Sequence, residues 1–517
     1  MQDMMNPSRR IILNTIATYS RSVFSVFLAL FSSRWVLNAL GQSDFGLYSL
    51  VSAIVILIVF LNSVMATSVA RFFAYSIGQG DPGEVKSWFN VAFSIHLCFA
   101  VILGLIGWVL GDSVITHVLN IPIDRMSICL FVFRISLITA FFCMISVPYV
   151  AMFQAKQRIS ELAFWGLLQT FLSFSLAYLL RNASGDRLLF YAVGMGSIIL
   201  FNNLIQIIRA MVVFPECKIN LRQWFNIKKA KRVFSFAVWY LIGSLGSVGR
   251  NQGSAILLNV YFGPIANAAY GIANQVSTQV NQLSAAMIGA FSPEIIATEG
   301  RGDRSGMLLM SMRASKFGTI LVLFFAIPLM VEMENVLRLW LRTPPPGTAT
   351  FCRWILATYL IDRLSTGYML AVSAHGKIAA YQATVGVSLV LTLPLAWIFL
   401  KLGFAPTSIG IAFVVGITVC SFGRVFWGRY LFGVSIKRWF LEVVLPSSLV
   451  AFSGGLAAWI PTWILPPSLL RFALSASASI SVALITAYKF GLDDAERGLA
   501  KRIISRLHGR MARIDGF

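Results

Sequence analysis

Five arginines, Arg21, Arg34, Arg134, Arg250 and Arg363, and one aspartate, Asp362, stand inside long apolar stretches of this chain. A charge in such surroundings costs roughly 2.5 to 3.5 kcal/mol on insertion scales, so each is a functional candidate by default. Guanidinium is a planar fork of donors that meets an oxyanion with two parallel hydrogen bonds, and an excess of arginine over aspartate points to anion recognition. Polar neighbours recur at helical spacing around these charges. Asn14, Thr18, Arg21, Ser25 and Ser32 share one face at 100° per residue, whereas Arg34 projects from the opposite side near a helix end, where it can snorkel to headgroups. Gly243, Ser247, Arg250, Asn251 and Ser254 make a second stripe. A third stripe comprises Asn267, Asn274, Gln275, Thr278, Asn281 and Gln282, more amide than a lipid-facing helix should carry. The expected binding residues are therefore Arg21, Arg250, Arg363, Arg134, Asn274, Gln275 and Asn281. Asp362 is expected either to couple transport or to pair with a neighbouring cation. His96 reads as a hydrogen-bonded packing residue. Six cysteines are scattered without metal-ligand spacing, so neither a metal nor another cofactor is expected.

The elements that hold these residues must be membrane helices. The chain is 57% hydrophobic and 12% charged, with a mean hydropathy of +0.77, and apolar runs long enough for a ~30 Å hydrocarbon core recur throughout. A window of ~19 residues predicts fourteen spans, near 11–40, 45–70, 87–110, 126–151, 160–180, 188–208, 233–261, 267–290, 317–336, 351–372, 381–400, 407–423, 443–464 and 470–488. The first run is too long for a signal peptide and is expected to remain as a helix. The net charge of +22 lies in loops between spans, which excludes a nucleic-acid-binding face. Sorted by side, with Arg353 and Arg471 at the outer ends of their spans counted with the outer loops, 29 of the 42 Lys and Arg fall with the termini, 8 opposite and 5 deeper inside spans, so both termini are expected in the cytoplasm of an inner-membrane protein.

The expected organisation is an all-α polytopic fold of about fourteen helices. A six-helix bundle occupies 1–212, a basic cytoplasmic linker 213–232, a second six-helix bundle 233–430, two additional spans 431–490 and a basic amphipathic tail 491–517. Gly41, Tyr48, Leu61, Met65, Gly78, Gly80 and Asp81 recur 222 residues later as Gly263, Tyr270, Leu283, Met287, Gly300, Gly302 and Asp303. The offset spans six helices, so the two copies form a parallel repeat, and repeat interfaces are where such proteins bind cargo. In the tail, Asp493 and Glu496 have capping-box spacing, and Leu492, Leu499, Ile503, Leu507 and Met511 make an apolar stripe beside Lys501, Arg502, Arg506 and Arg510, suited to anionic lipid.

At Leu40-Gly41-Gln42-Ser43-Asp44-Phe45-Gly46-Leu47-Tyr48, followed by Arg71-Phe72, the sequence resembles the Wzx-type polysaccharide flippases of the MOP exporter superfamily. The resemblance implies a V-shaped pair of bundles around a cationic cavity that opens alternately to either membrane face. It also implies a cargo, an undecaprenyl-pyrophosphate-linked glycan moved outward for surface polysaccharide such as lipopolysaccharide or exopolysaccharide, and a groove on the last two spans for the polyprenyl tail. Implied partners are the lipid-linked glycan, membrane lipids and other polysaccharide assembly proteins.

Two rival functions leave different marks. A multidrug exporter of the same superfamily would want acidic residues for organic cations, and the first six spans hold only Glu161, at the very start of the fifth. A membrane glycan polymerase or ligase would need an extramembrane loop with catalytic groups, and the longest outer loops, 111–125 and 336–350, show no such cluster. No enzyme activity is expected.

Overall fold

The computed structural model describes residues 64–118, 121–224, 226–494 and 496–498, with scattered positions between 20 and 48. Its described part is 90% helical and has no strands. A helix over 64–79 (α1) is followed by α2 (Pro82–Ser113), α3 (Met126–Ala155), α4 (Ile159–Leu179), α5 (Arg187–Val213) and the long run α6 (Ile227–Gly300). Then come α7 (Arg304–Val331), α8 (Met333–Leu341), α9 (Thr348–His375), α10 (Ala379–Val390), α11 (Thr392–Lys401) and α12 (Ile409–Phe432). The short α13 (Ile436–Trp439) leads into α14 (Leu445–Ile464) and α15 (Leu469–Thr486). Among the described residues ten helices are long and apolar enough to cross a membrane, which makes this a multi-pass membrane protein. The two spans expected before residue 70 lie largely outside the described residues. Those near 267–290 and 351–372 are helical but too polar to meet the same measure.

Local chemistry fixes the helix ends. Asp186, Asn226, Ser435 and Ser468 each cap a helix by accepting an N–H three residues on. Within α6 only Gly263 leaves helical geometry, at φ 74° and ψ −167°, separating the seventh and eighth spans.

The chain forms two compact units. The first comprises 1–242, 289–307 and 373–379, and the second the remainder. In the first unit, Val36, Leu40 and Leu47 pack with Val132, Phe133, Leu180 and Leu188. In the second, residues of α6, α7, α9, α11 and α12 share one core, and α14 and α15 pack on α7 through Val450, Ala458 and Ala483 against Ile320, Leu323 and Ile327. Ion pairs fasten this last hairpin near both ends of α7. Arg471 donates to the fully buried Glu332 at 2.8 Å, and Lys316 and Arg313 donate to Glu496 at 2.6 and 3.0 Å. Asp493 and Glu496 form the expected reciprocal capping box. The amphipathic stripe beyond Leu492 lies outside the described residues.

The duplication is visible as geometry inside the first unit. Asp81 accepts the N–H of Glu84, and 222 residues on Asp303 accepts the N–H of Gly306. Gly80 and Gly302 both turn left-handed, at φ 74° and 79°. A Cβ on Gly78 would collide with the carbonyl of Ala297, and a Cβ on Gly300 with the carbonyl of Tyr75, which is the same contact read in both directions. The ends of α1 and α6 therefore meet about an approximate two-fold axis, as two halves of like sense should.

Candidate functional site

In the second unit, α6, α9 and α12 bring four charges together. Arg424 donates to Asp362 Oδ1 at 2.7 Å, whereas Arg363 stands 3.6 Å from the other carboxylate oxygen. The same Arg363 Nη2 donates to Asn281 Oδ1 at 2.6 Å, so two residues singled out separately in the sequence meet. Arg250 donates to Asn251 Oδ1 at 3.2 Å, lies 4.7 Å over the Phe413 ring and is within electrostatic reach of Asp362. Two arginines thus hold one carboxylate and Arg250 stands near them, leaving a net charge of +2 in a largely desolvated cluster. The Nε of both Arg363 and Arg424 is buried with no acceptor among the described residues. Unmet donors in low dielectric favour an oxyanion that can satisfy them.

Arg424 was missed by the sequence reading, which ended the twelfth span at residue 423 and placed this arginine in a loop. In the structure α12 continues to Phe432, and Gly433 closes it in a left-handed cap. The glycine was the available signal, since a C-terminal glycine at 433 puts Arg424 more than two turns inside the helix. Arg424 accordingly joins Arg250 and Arg363 among the arginines gathered near Asp362. Asp362 is satisfied mainly across to α12, not by its sequence neighbour.

The amide stripe divides in two. Asn274 donates to the carbonyl of Tyr270 at 3.1 Å, an internal helix bond. Gln275, Thr278, Gln279 and Gln282 are exposed along one face, and Gly271 has open space where a Cβ would stand. A row of exposed amides on a membrane protein's helix suits water or another polar partner and not acyl chains. Gly243 and Gly246 of the neighbouring stripe serve packing instead, since Cβ atoms there would meet Gln382 and the backbone of Gly386 on α10.

In the first unit, Arg21 lies across Gly166 of α4, and its stripe partner Ser25 is 3.1 Å from Thr170 Oγ1. Arg21 and Ser25 of the stripe therefore face α4, Asn14 and Thr18 lie outside the described residues, and no carboxylate pairs with Arg21 among the described residues. Arg134 is elsewhere, half-exposed, paired with Asp112 at 2.8 Å and 5.2 Å over the Trp108 ring. Arg34 lies outside the described residues. His96 is fully buried and its Nδ1 is 2.7 Å from the carbonyl of Ala92.

A further cluster gathers where α1 and α6 end. Arg71 donates to the carbonyls of Ser373 and Ala374 at 2.7 and 3.0 Å, satisfying the last turn of α9 at its negative end. Glu299 accepts from Arg304 at 2.5 Å and lies 3.1 Å from His375 Nδ1. Burial pushes the Glu299 carboxyl up, but the hydrogen bonds from Arg304 and His375 outweigh it and hold the group below the usual glutamate range. The sequence reading used Arg71 only as a motif residue, because capping a helix 300 residues away has no local signature. Asp44 of the same motif meets Arg125 at 2.9 Å.

The fold is that of the MATE transporters of the MOP superfamily. A crystal structure of a MATE point mutant superposes with a TM-score of 0.73 at 14% identity, covering 83% of this chain and 96% of that one. An outward-facing multidrug resistance MATE transporter gives 0.68 at 14% over 83% and 96%. A MOP superfamily transporter from Pyrococcus furiosus Vc1, described as having a binding pocket of reversed polarity, gives 0.67 at 15% over 82% and 96%. These neighbours are transporters, not enzymes. In sequence, the chain is 21% identical over 364 residues to the uncharacterized membrane protein EpsK of Bacillus subtilis (strain 168), covering 68% of this chain and 69% of that one. No family model matches.

Proposed function

We propose that this chain is a flippase that carries a polyprenyl-pyrophosphate-linked oligosaccharide from the cytoplasmic to the outer leaflet by alternating access, for surface polysaccharide assembly. In this reading the two six-helix bundles of the repeat do the moving, the last two spans are an addition, and both termini face the cytoplasm. The observation that carries it is the net +2 cluster of Arg250, Arg363, Arg424 and Asp362, with unmet guanidinium donors beside Asn281 and an open amide face. A pyrophosphate crossing low dielectric wants fixed, charge-matched, bidentate donors, and sugar hydroxyls want amides. Arg21 adds a cation in the first unit.

The multidrug exporters among the fold neighbours make organic cargo the natural rival. A cationic drug needs an available carboxylate, and in this cluster Asp362 is already engaged by Arg424. The test is restoration of surface polysaccharide in a strain lacking the protein, with membrane levels measured alongside. Lys at Arg21 or Arg363 should retain part of the export, Gln should lose most, and Glu at Arg21 should abolish it. Wild-type export by Arg21→Gln and Arg363→Gln would overturn the cationic mechanism.

A further inference from the structure

The linker between α5 and α6 is bound to the first unit by designed-looking side-chain clasps rather than left as a free loop. Asn90 of α2 donates to the carbonyl of Lys218 at 3.3 Å and accepts from the N–H of Asn220 at 2.6 Å, and Ser94 donates to the carbonyl of Trp224 at 2.8 Å. The docked linker walls one side of an apolar groove of about 300 Å³, whose other sides are Cys98, Phe99 and Ile102 of α2 and Ala230 and Phe234 of α6. The first turns of α6, which give Ala230 to the groove, carry the sequence Lys228-Lys229-Ala230-Lys231-Arg232. Lys229 turns inward to Glu84 and Ser87, both at 2.7 Å, and lies 4.9 Å over the Trp88 ring. Lys228, Lys231 and Arg232 are exposed and make no ion pair among the described residues. The nearby acids are spent, Glu84 on Lys229 and Glu216 on Lys156. Ile227, which lines the groove just before these cations, stands 79% exposed, and Leu221 of the linker 67%.

An apolar groove whose α6 wall comes from a helix start that also bears three cations and exposed aliphatic side chains has the chemistry of one ligand class. We propose that it is a binding site for an anionic phospholipid of the leaflet that meets the linker, with part of an acyl chain in the groove and the headgroup phosphate on Lys228, Lys231 and Arg232. The general excess of cations on one side of a membrane protein orients the chain but does not require a groove, a clasped wall or aliphatic groups among the charges. Their coincidence here does. The site is independent of the cargo argued above and lies wholly within the first unit.

The attraction of a basic residue to an anionic leaflet, taken three times, gives a preference for anionic over zwitterionic lipid on the order of 100-fold. Native mass spectrometry of the full chain in detergent, titrated with phosphatidylglycerol or phosphatidylcholine, reads this directly. Wild type should retain phosphatidylglycerol at a far lower concentration, and the combined Lys228→Gln, Lys231→Gln, Arg232→Gln variant should bind the two lipids alike. Cys98→Trp, which fills the groove and leaves the cations, should weaken both lipids, while Lys437→Gln at another basic turn should change nothing. If the triple variant does not fold, each single substitution should still reduce the preference several-fold. Equal binding of the two lipids by wild type, or an undiminished preference in the neutralised variants, would overturn the proposal.

Discussion

Replacing Asp362 by Asn, Arg424 by Gln, and then both together separates the scaffold of the charge cluster from its working surface. Arg424 and Asp362 meet at 2.7 Å with side chains 7% and 19% exposed, and Arg363 stands farther from the carboxylate at 3.6 Å. At an effective dielectric of 20 these separations give gross attractions of about 6 and about 5 kcal/mol, most of which is offset by desolvation. Removing one partner of a buried pair strands the other and typically costs about 3 to 5 kcal/mol. Asp362→Asn leaves Arg250, Arg363 and Arg424 as three uncompensated cations, so it should sit at or above the upper end. Arg424→Gln leaves Asp362 with Arg363 and should sit at the lower end. The double variant restores the net +2 of the native cluster, so its loss should fall short of the two single losses combined by about 2 to 3 kcal/mol. Unfolding of the purified protein by SDS titration, followed by tryptophan fluorescence, closes the cycle. Additivity within about 0.5 kcal/mol would mean that the pair is not the scaffold described. Arg363→Gln should cost less in unfolding than Arg424→Gln, because its contact with Asp362 is the longer one, while reducing export through loss of its buried, unmet Nε donor.

Gly78→Ala and Gly300→Ala should each abolish export or assembly, because their Cβ atoms would enter the carbonyls of Ala297 and Tyr75; Gly80→Ala, with open space but a left-handed φ, should cost only about 1 to 2 kcal/mol in the same unfolding assay. The carboxyl of Glu299 is depressed when folded, so its stabilising contribution is full above the unfolded-state pKa and is lost as pH falls through the folded value. Thermal stability of wild type should therefore fall more steeply than that of Glu299→Gln as pH drops from neutral through the acidic carboxylate range, and parallel curves would refute the depressed carboxyl. Arg71→Ala should release the last turn of α9, seen as faster amide hydrogen exchange over 371–375, whereas Lys at this position should protect it partly. A cysteine placed at Lys218 should react with an impermeant maleimide only after the inner face is opened, and labelling in intact cells would reverse the proposed topology.

Much of the fold was legible because its signal is local. Apolar length marked the helices, and the Gly-x-Gly-Asp turns at 78–81 and 300–303 marked the repeat, since each needs a left-handed glycine and a capping carboxylate that only a few residue types supply. The charge cluster was half legible. Arg250, Asp362, Arg363 and Asn281 announced themselves by standing in apolar runs, but Arg424 did not, because helix ends in basic flanks blur in a sliding window. Residues whose partners lie far along the chain carried no readable role. Glu332 holding Arg471, and Glu496 holding Lys316, show it on the last hairpin, and Arg71 shows it on α9.

The meeting of Gly78 with Gly300 has a bearing on descent. Each glycine packs on the other half's equivalent of its own neighbour, Ala297 for Tyr75, which is the self-complementary contact that identical subunits make across a dyad. Two copies of one ancestral six-helix chain, inserted in the same sense, would have formed it as a homodimer without any linker. Fusion then freed the flanking side chains to diverge, so that Tyr75 could stand on one side and alanine on the other. The crossing itself kept its glycines, because any side chain there would press on both halves at once.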